Sequence, residues 1–436
     1  MSKIFTVSII GCGSRGHDAY GKCIYEMKDK FRIVSVCDIN PIKLGFVKKE
    51  WGIAEENLFL DENEFFKKKR SDALVIATQD KDHVRMCIKA LELGYDILLE
   101  KPISPSEEEL YALLEANKKY QRKVIVCHVL RYAPAYLKVK EILDSGEVGN
   151  IVCIDWLEQV AYWHQAHSYV RGNWRKSEET SPMIMAKCCH DLDLLQYYAN
   201  SKCETVYSTG DLVFFNKANK PEGASDRCAT CKYINDCVYS AENVYVGRWK
   251  KDPDWTREKP EIHDEVRRQG WPYNVVDLTR PITEESLRKA YQNNGYGRCV
   301  FDCDNDVVDN QTVIMQFKNG ITANLTMTGF TALPGRKMTF HCTLGEVEMD
   351  EENDYIRVSR YGKGTRFINI NEIMKDTFRE DFGHGGGDIM LVRDFYNSLI
   401  GQGEVGTTLD RSIESHLMAI AAEKSRVIGN VWKVHL

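Results

Sequence analysis

The 436-residue chain predicts an α/β fold, and three observations in its first third carry that prediction. Short apolar runs (FTVSIIG, RIVSVCD, ALVIAT, DILLEK, KVIVCHV) alternate with helix-length polar-periodic stretches such as 82–93 and 105–120. Strands apolar on nearly every residue, separated by helices, belong to a parallel sheet covered on both faces. The first run ends in a glycine motif and the second in an acid. Hydrophobic residues at 43% and charged residues at 28% describe a globular chain, long enough for two domains rather than one.

The first run closes in Gly11-Cys12-Gly13-Ser14-Arg15-Gly16, between a strand and a helix. In that context the pattern reads as a Rossmann dinucleotide-binding turn. Gly11 permits the tight turn, Gly13 lets the backbone approach a pyrophosphate, and Gly16 allows close helix–strand packing. The helix N-terminus offers N–H groups and a positive dipole end to the phosphates. Asp38 ends the second run about twenty residues further on, where a carboxylate accepts ribose hydroxyls and repels a 2′-phosphate. NAD is therefore expected over NADP, with Lys43 nearby as the opposing feature. Ser14 and Arg15 in the turn, Thr78 and His83 beyond ALVIAT, Glu100, Lys101 and Arg131 complete the expected cofactor-contacting set.

The run YDILLEKPIS ends in Glu100-Lys101-Pro102. Ligands in open α/β sheets sit beyond the carboxyl ends of the strands, so Lys101 is placed in the cofactor crevice. A lysine partly desolvated beside a cationic nicotinamide loses its proton more readily and can exchange one with a substrate hydroxyl. On spacing alone, a solvated lysine closing a strand explains it equally well.

GxGxxG, Asp38, EKP, HVLRYAP (Arg131, Pro134) and CHDLDLL follow one another in an order that resembles the glucose–fructose oxidoreductase/inositol dehydrogenase (Gfo/Idh/MocA) family. The resemblance covers nearly the whole chain. DNDVVDNQTVIMQFKNGITANLTMTGF (304–330) resembles the family's second-domain sheet. GGGDIMLVRDFYNSL and SIESHLMAIAAEKSR resemble its C-terminal helices. It implies a Rossmann domain over 1–130 and, over 131–436, an α/β domain with a large open, mainly antiparallel sheet. That second domain would carry a Cys-rich insertion at about 216–296 and helices at 386–428. It further implies a cis peptide before Pro102, a homodimer or homotetramer, and hydride transfer at a secondary hydroxyl of a sugar, cyclitol or glycoside. Two other readings stand beside this one: an enzyme that retains NAD and recycles it during a glycosidase-like or epimerase-like reaction, and a non-catalytic NAD(H) sensor or scaffold.

In MAKCCHDLDLLQYY (185–198), helical spacing puts Lys187, His190, Asp191 and Leu194 on one face, and Cys188, Leu192, Leu195 and Ala199 on an apolar core stripe. Successive helical residues diverge by about 100°, so Cys188, Cys189 and His190 cannot converge on one metal. A thiol nucleophile would need a base held in place by a third group, which this spacing does not supply. The resemblance implies instead that His190 contacts the reacting hydroxyl opposite Lys101. Family members usually carry an aspartate four residues before that histidine; here the position is Ala186, and Lys187 is the polar neighbour that stands in as a third catalytic candidate.

Upstream, AYWHQAHSYVRGNWRKSEETSPMI (161–184) supplies Trp163, His164, His167, Arg171, Asn173, Trp174 and Arg175. Flat apolar faces for C–H patches and donors for hydroxyls suit a polyol, and with Asp191 these form the expected substrate-binding set. Two arginines would also suit a carboxylate or phosphate.

A metal signal lies in DRCATCKYINDCVYSA, where Cys228-x2-Cys231-x5-Cys237 sits in a segment rich in charge, Trp and Pro. A C-x2-C pair offers two thiolates to one ion. Cys303 is taken as the fourth ligand, with Cys299 and Cys203 as alternatives, and four thiolates suit structural zinc or an iron–sulfur cluster.

The remaining features exclude classes. A net charge of −6 gives no basic field for nucleic acid. No run approaches membrane-spanning length, and the short N-terminal apolar run is consumed as a strand rather than as a signal. Fifteen cysteines, several inside apolar runs, make a disulfide scaffold a poor reading and point to the cytoplasm.

Overall fold

The computed structural model describes residues 3–251, 268–375, 383–403 and 406–434. Six strands, β1 (Phe5–Ile10), β2 (Phe31–Cys37), β3 (Leu58–Phe59), β4 (Ala73–Ile76), β5 (Asp96–Leu99) and β6 (Val124–Val126), form a parallel sheet in the order β3-β2-β1-β4-β5-β6. Strand order reverses beside β1, so a crevice opens between the carboxyl ends of β1 and β4. The apolar runs are strands because both faces are covered. Val7, Ile9 and Val75 join one core; Ile10, Leu74, Ile76 and Ile97 join the other.

The second sheet adds β7 (Ile151–Gln159), β8 (Cys203–Asp211), β9 (Asn310–Phe317), β10 (Thr322–Thr328), β11 (Gly335–Cys342), β12 (Gly345–Asp350), β13 (Tyr355–Arg360), β14 (Gly364–Asn369) and β15 (Trp432–Lys433). Its order is β14-β13-β12-β11-β7-β10-β9-β8-β15, antiparallel except at β7–β10. Burial alternates residue by residue along β11, as expected of a sheet with one face on a core. That core is filled by helices Pro134–Asp144 and Cys189–Ala199.

The C-terminal helices, expected as part of residues 131–436, also build the first domain. Ile389, Val392 and Phe395 of helix Gly387–Leu399 pack with Val7 and Phe31. In helix Leu409–Ile428, Leu409, Ile413 and Leu417 pack with Leu110 and Val126, while Met418 and Ala421 enter the core under the large sheet. The Val126 N–H donates to the Thr407 carbonyl at 2.8 Å.

Residues 252–267 of the expected insertion lie outside the described residues. The described remainder is built of short helical pieces around two apolar clusters, one holding Trp163, Tyr245 and Tyr273, the other Phe215, Cys299 and Phe301. It reaches back to the first domain: Asn274 Nδ2 donates to Asp18 Oδ2 at 2.7 Å, and the Arg280 guanidinium lies 5.1 Å from the Phe46 ring. Among the described residues, no helix is long and apolar enough to cross a membrane.

Candidate functional site

The three glycines of the first turn have different reasons to be glycine. Gly11 has φ +87°, and a Cβ there would lie 2.4 Å from the Ala77 carbonyl oxygen; at Gly16 it would lie 1.8 Å from that of Gly11. Gly13 has an ordinary φ of −77°, and an added Cβ would meet only Lys43 Nζ, at 3.8 Å. The chain itself does not require a glycine at 13. What the bare backbone preserves is open space in front of the helix Ser14–Gly21, where a pyrophosphate fits. Asp38 borders the same space. Its Oδ2 accepts from the Cys12 N–H at 2.6 Å and its Oδ1 from that of Asn40 at 2.8 Å, with Lys43 Nζ at 4.0 Å. The carboxylate is thus held at the turn with lone pairs left for ribose hydroxyls.

Several residues expected to touch the cofactor also bind the protein's own side chains and backbone. Arg15 Nε donates to Glu100 at 2.7 Å, and both Nη atoms donate to Asp388 at 3.1 and 2.7 Å. Burial pushes the Asp388 carboxyl up, but Arg15 and His384 outweigh it and hold it well below the usual carboxylate range. Glu100 also accepts from the Tyr20 hydroxyl and the Lys101 N–H. Its side chain and that of Arg15 therefore lock the two loops flanking the crevice. His83 places one ring nitrogen 2.7 Å from the Pro102 carbonyl and the other 3.2 Å from that of Thr78, so it ties those loops together. Thr78 Oγ1 turns to Met86 Sδ at 3.7 Å, and Ser14 stays half-buried at the turn. Arg131 grips Asp193 through two 2.6 Å bonds and donates to the Gly406 carbonyl, which joins the end of the first sheet to helix Cys189–Ala199.

Lys101 follows β5 at a cis Lys101–Pro102 bond, and its ammonium donates to the Ala186 carbonyl at 3.2 Å. Among the described residues no carboxylate lies within ion-pair distance of it. The expected single helix over 183–199 is two, Met183–Ala186 and Cys189–Ala199, broken at Lys187 and at Cys188, whose φ and ψ are −90° and 6°. His190 therefore lies in the first turn of a fresh helix, its ring buried and its Nδ1 without a protein partner. Burial, then the charges of Lys101, His128 and His384, hold its pKa well below the usual histidine value, so the imidazole is neutral. The stripe Cys188, Leu192, Leu195 and Ala199 is buried as expected. Burial also pushes the Cys189 thiol up to about 12, which leaves it inert as a nucleophile.

Lys187, at the break, pairs with a carboxylate of the large sheet. Its Nζ lies 3.0 Å from Glu158 Oε1, on β7. Asp191, expected at the substrate, is fully buried and accepts from Trp156 Nε1 at 2.8 Å and Arg336 Nε at 2.7 Å, so it anchors the helix to the sheet. Arg336 continues to Glu158 at 2.9 Å. Burial pushes Glu158 up to about 7 against the pull of Arg336 and Lys187. Sequence reading missed Glu158, Arg336, His128 and His384. The available signal at Glu158 was its even step from Trp156 along β7, which sends both side chains inward.

The segment 161–175 divides. Trp163 is buried under the Arg248 guanidinium at 4.2 Å, with the half-buried His164 ring against it at 5.6 Å and Trp271 at 4.9 Å from His164. Burial, then Lys187, His167 and Lys101, hold the His164 pKa well below the usual histidine range. The other residues of the expected set have protein partners of their own. His167 meets the Tyr245 hydroxyl at 3.2 Å and stacks on Tyr296 at 5.0 Å. Trp174 donates to Asp80 at 3.3 Å, Arg175 pairs with Asp304 at 2.9 Å, and Asn173 is exposed. Arg171 turns into the insertion, where it donates to Cys228 Sγ at 3.5 Å.

Cys228, Cys231 and Cys237 line one partly open hollow, but the fourth cysteine there is Cys299. Cys303 directs its thiol to the Cys299 carbonyl at 3.2 Å, and Cys203 lies in β8 with its thiol on the Thr205 and Gln316 carbonyls. Among the described residues, no three ligating side chains stand close enough to hold a single ion.

Among proteins similar to this chain, YteT of Bacillus subtilis is 24% identical over 404 residues, 89% of this chain and 88% of that one. The inositol 2-dehydrogenase of Rubrobacter xylanophilus is 26% identical over 216 residues, 48% of this chain and 56% of the relative. Among solved structures, an Agrobacterium radiobacter oxidoreductase in complex with NAD+, L-tartaric acid and magnesium superposes with a TM-score of 0.68 at 14% identity, covering 99% of this chain and 98% of that chain. The Lactobacillus casei scyllo-inositol dehydrogenase with bound NAD(H) and scyllo-inositol gives 0.65 at 16% identity, with 99% of each chain covered. The family model for the oxidoreductase NAD-binding Rossmann fold matches residues 5–128, and that for the oxidoreductase C-terminal alpha/beta domain matches 140–434. With both halves matched and the glycine turn, Asp38 and Lys101 set around one crevice, the chain belongs to the Gfo/Idh/MocA family of NAD-binding oxidoreductases.

Proposed function

We propose that the chain transfers a hydride between NAD and a secondary hydroxyl of a sugar, cyclitol or glycoside, with Lys101 and His190 on either side of the reacting carbon. The observation that carries this reading is the 3.2 Å bond from Lys101 to the Ala186 carbonyl. It brings a lysine from the cofactor sheet onto the chain just before His190. The inositol-dehydrogenase relatives and the inositol-bound structure support the substrate class. NAD, when bound, supplies the hydride acceptor. Lys101, once its ammonium has released a proton to solvent, takes the hydroxyl proton, and neutral His190 and His164 orient the hydroxyl through their ring nitrogens. Glu158 holds Lys187 at the rim, so Lys187 contributes positive charge near the site rather than a mobile proton carrier.

A panel of sugars, cyclitols and glycosides, followed by NADH absorbance, tests the proposal. Lys101→Met is expected to lower kcat/KM at least a hundredfold on the active compound while leaving NAD binding within about threefold. Retention of a tenth or more of wild-type turnover would remove Lys101 from the proton step.

A second reading, tightly retained and internally recycled NAD, is favoured by one contact. The insertion's Asn274 holds Asp18, five residues after Gly13, and so fastens the insertion to the helix that follows the glycine turn. NAD released on denaturation of the purified protein at close to one per chain, with a single turnover in the panel, would select this reading. The unpaired state of all fifteen cysteines supports a reducing compartment. The exposed Tyr207–Ile314 pair on the outer face of the large sheet supports a homodimer or homotetramer.

A further inference from the structure

His128 carries an unmet requirement at the edge of the site. It follows β6, so it stands at the carboxyl end of the parallel sheet, on the side where the crevice opens. It is 1% exposed, and neither Nδ1 nor Nε2 has a hydrogen-bond partner among the described residues. An imidazole buried with its donor and its acceptor both unmet is costly, so the place it holds calls for a use.

The neighbours of His128 narrow what that use is. His416 packs against it at 5.6 Å between ring centroids, but that ring is already saturated. Its Nε2 accepts from the Ile103 N–H at 2.8 Å, which leaves Nδ1 as its N–H, donated to the Ser412 carbonyl at 2.8 Å. Asp193 Oδ1 lies 3.7 Å from His128 Nε2, beyond a hydrogen bond, and both oxygens of that carboxylate are held by Arg131 at 2.6 Å. The Arg131–Asp193 pair is neutral as a whole and sets no tautomer in His128. The third neighbour is His190, with ring centroids 5.9 Å apart and planes crossing at 78°.

His190 has the complementary gap. Its Nδ1 is buried without a partner, and Nε2 is the nitrogen left toward the crevice. The other groups around it are taken. His384, at 6.0 Å between ring centroids, turns Nδ1 to Asp388 at 3.3 Å and Arg15 at 3.4 Å, and it is exposed, so solvent serves the rest of its ring. Arg336 is engaged by Asp191 and Glu158. Lys101 stands across the reacting carbon in the reading proposed above. Among the described residues, His128 is thus the neighbour of His190 with a hydrogen-bonding atom to give.

We propose that His128 is the positioning residue of His190: its N–H donates to His190 Nδ1 and so holds His190 in the tautomer that carries hydrogen on Nε2. The inference rests on the roles given to Lys101 and His190 above. There Lys101 takes the hydroxyl proton, so the substrate oxygen needs a donor from the other side, both as the alcohol and as the carbonyl it becomes. A neutral histidine supplies that donor only when its second nitrogen is bare, and a bare buried nitrogen needs a donor behind it. Burial, then the charges of Arg131 and Lys101, hold the His128 pKa well below the usual histidine value, so the ring is neutral and keeps one N–H to give. At 5.9 Å between centroids the bond is long, and catalytic hydrogen bonds tighten once substrate is in place. No proton is transferred between the rings; His128 acts through His190 alone.

The test is long-range proton–nitrogen correlation spectroscopy of the full-length protein, isotopically labelled in the nitrogens of its eleven histidines, with His190 assigned from the signals missing in His190→Gln. It needs no substrate, so it decides the tautomer whether or not the hydride-transfer reading holds. Wild type is expected to show His190 with hydrogen on Nε2 and a bare Nδ1, and His128→Phe to lose that preference. On an active compound from the panel, His128→Phe is expected to lower kcat about tenfold or more, with KM and NADH affinity within about threefold. His128→Asn places an amide N–H close to where Nδ1–H stands and is expected to restore most of that loss. Should His128→Phe not fold, the wild-type tautomer decides alone. Hydrogen on Nδ1 of His190 in wild type, an unchanged kcat in His128→Phe, or a lowered kcat with the His190 signals unmoved would overturn the assignment and leave His128 a packing residue.

Discussion

His17, one turn into the helix that follows the glycine motif, shows how single side chains set the conditions at the cofactor crevice. Its ring stacks on Trp51 at 4.9 Å and lies between Asp18 at 2.7 Å and Glu50 at 3.0 Å. Burial opposes the charged form, but hydrogen bonds to these two carboxylates prevail and raise its pKa from 6.5 to about 9. A pKa raised on folding contributes stability that is fully present below pH 6.5 and is lost as pH climbs through 9. The wild-type melting temperature should therefore fall across that window by several degrees more than that of His17→Gln, as read by differential scanning fluorimetry. At this scale, the residues legible in the sequence are those whose requirement is local. Gly11 and Gly16 answer to backbone a few ångströms away, and Asp38 to the turn next to its strand end. Arg15, Glu100, Arg131 and Asp191 have the same chemical types as ligand-binding residues. Which carboxylate each guanidinium meets depends on Asp388, Asp193 and Arg336, brought in from far along the chain.

Among the elements, the break between Met183–Ala186 and Cys189–Ala199 matters most for the site. In an unbroken helix the Ala186 carbonyl would accept from the N–H of residue 190; here it accepts the Lys101 ammonium. Nothing in MAKCCHDL disfavours a continuous helix, so the periodicity identified the buried stripe but not the break. The partner that interrupts the helix comes from the other domain. Helix Cys189–Ala199 is held from its other side by the Arg131–Asp193 pair, which is buried and bidentate. Arg131→Met leaves Asp193 charged and unpaired and is expected to cost about 3–5 kcal/mol in urea unfolding. Adding Asp193→Leu should recover most of that loss. If the double variant is no more stable than the single one, the pair does more than neutralise itself.

Across the whole molecule, the insertion and the C-terminal helices bridge the two sheets. The insertion's reach to Asp18 predicts that Asn274→Ala accelerates NAD(H) release, by up to about tenfold for the loss of one hydrogen bond to a charged group. Stopped-flow displacement of bound NADH measures this, and an unchanged off-rate would mean that the contact does not gate exchange. The first sheet was readable because its strands are apolar throughout, and the second was implied by the resemblance of residues 304–330 to the family's second-domain sheet. The return of the last helices to the first sheet was not, since an amphipathic period shows that a helix buries a face without showing against what.

That return sets an order for biogenesis. Helix Leu409–Ile428 gives Leu409, Ile413 and Leu417 to the core of the parallel sheet, and Thr407 closes the edge of β6. The nucleotide-binding half, although synthesised first, therefore emerges from the ribosome with apolar surface uncovered. It must wait for nearly the whole polypeptide before it can close, which makes folding of the two halves a joint event rather than a sequential one.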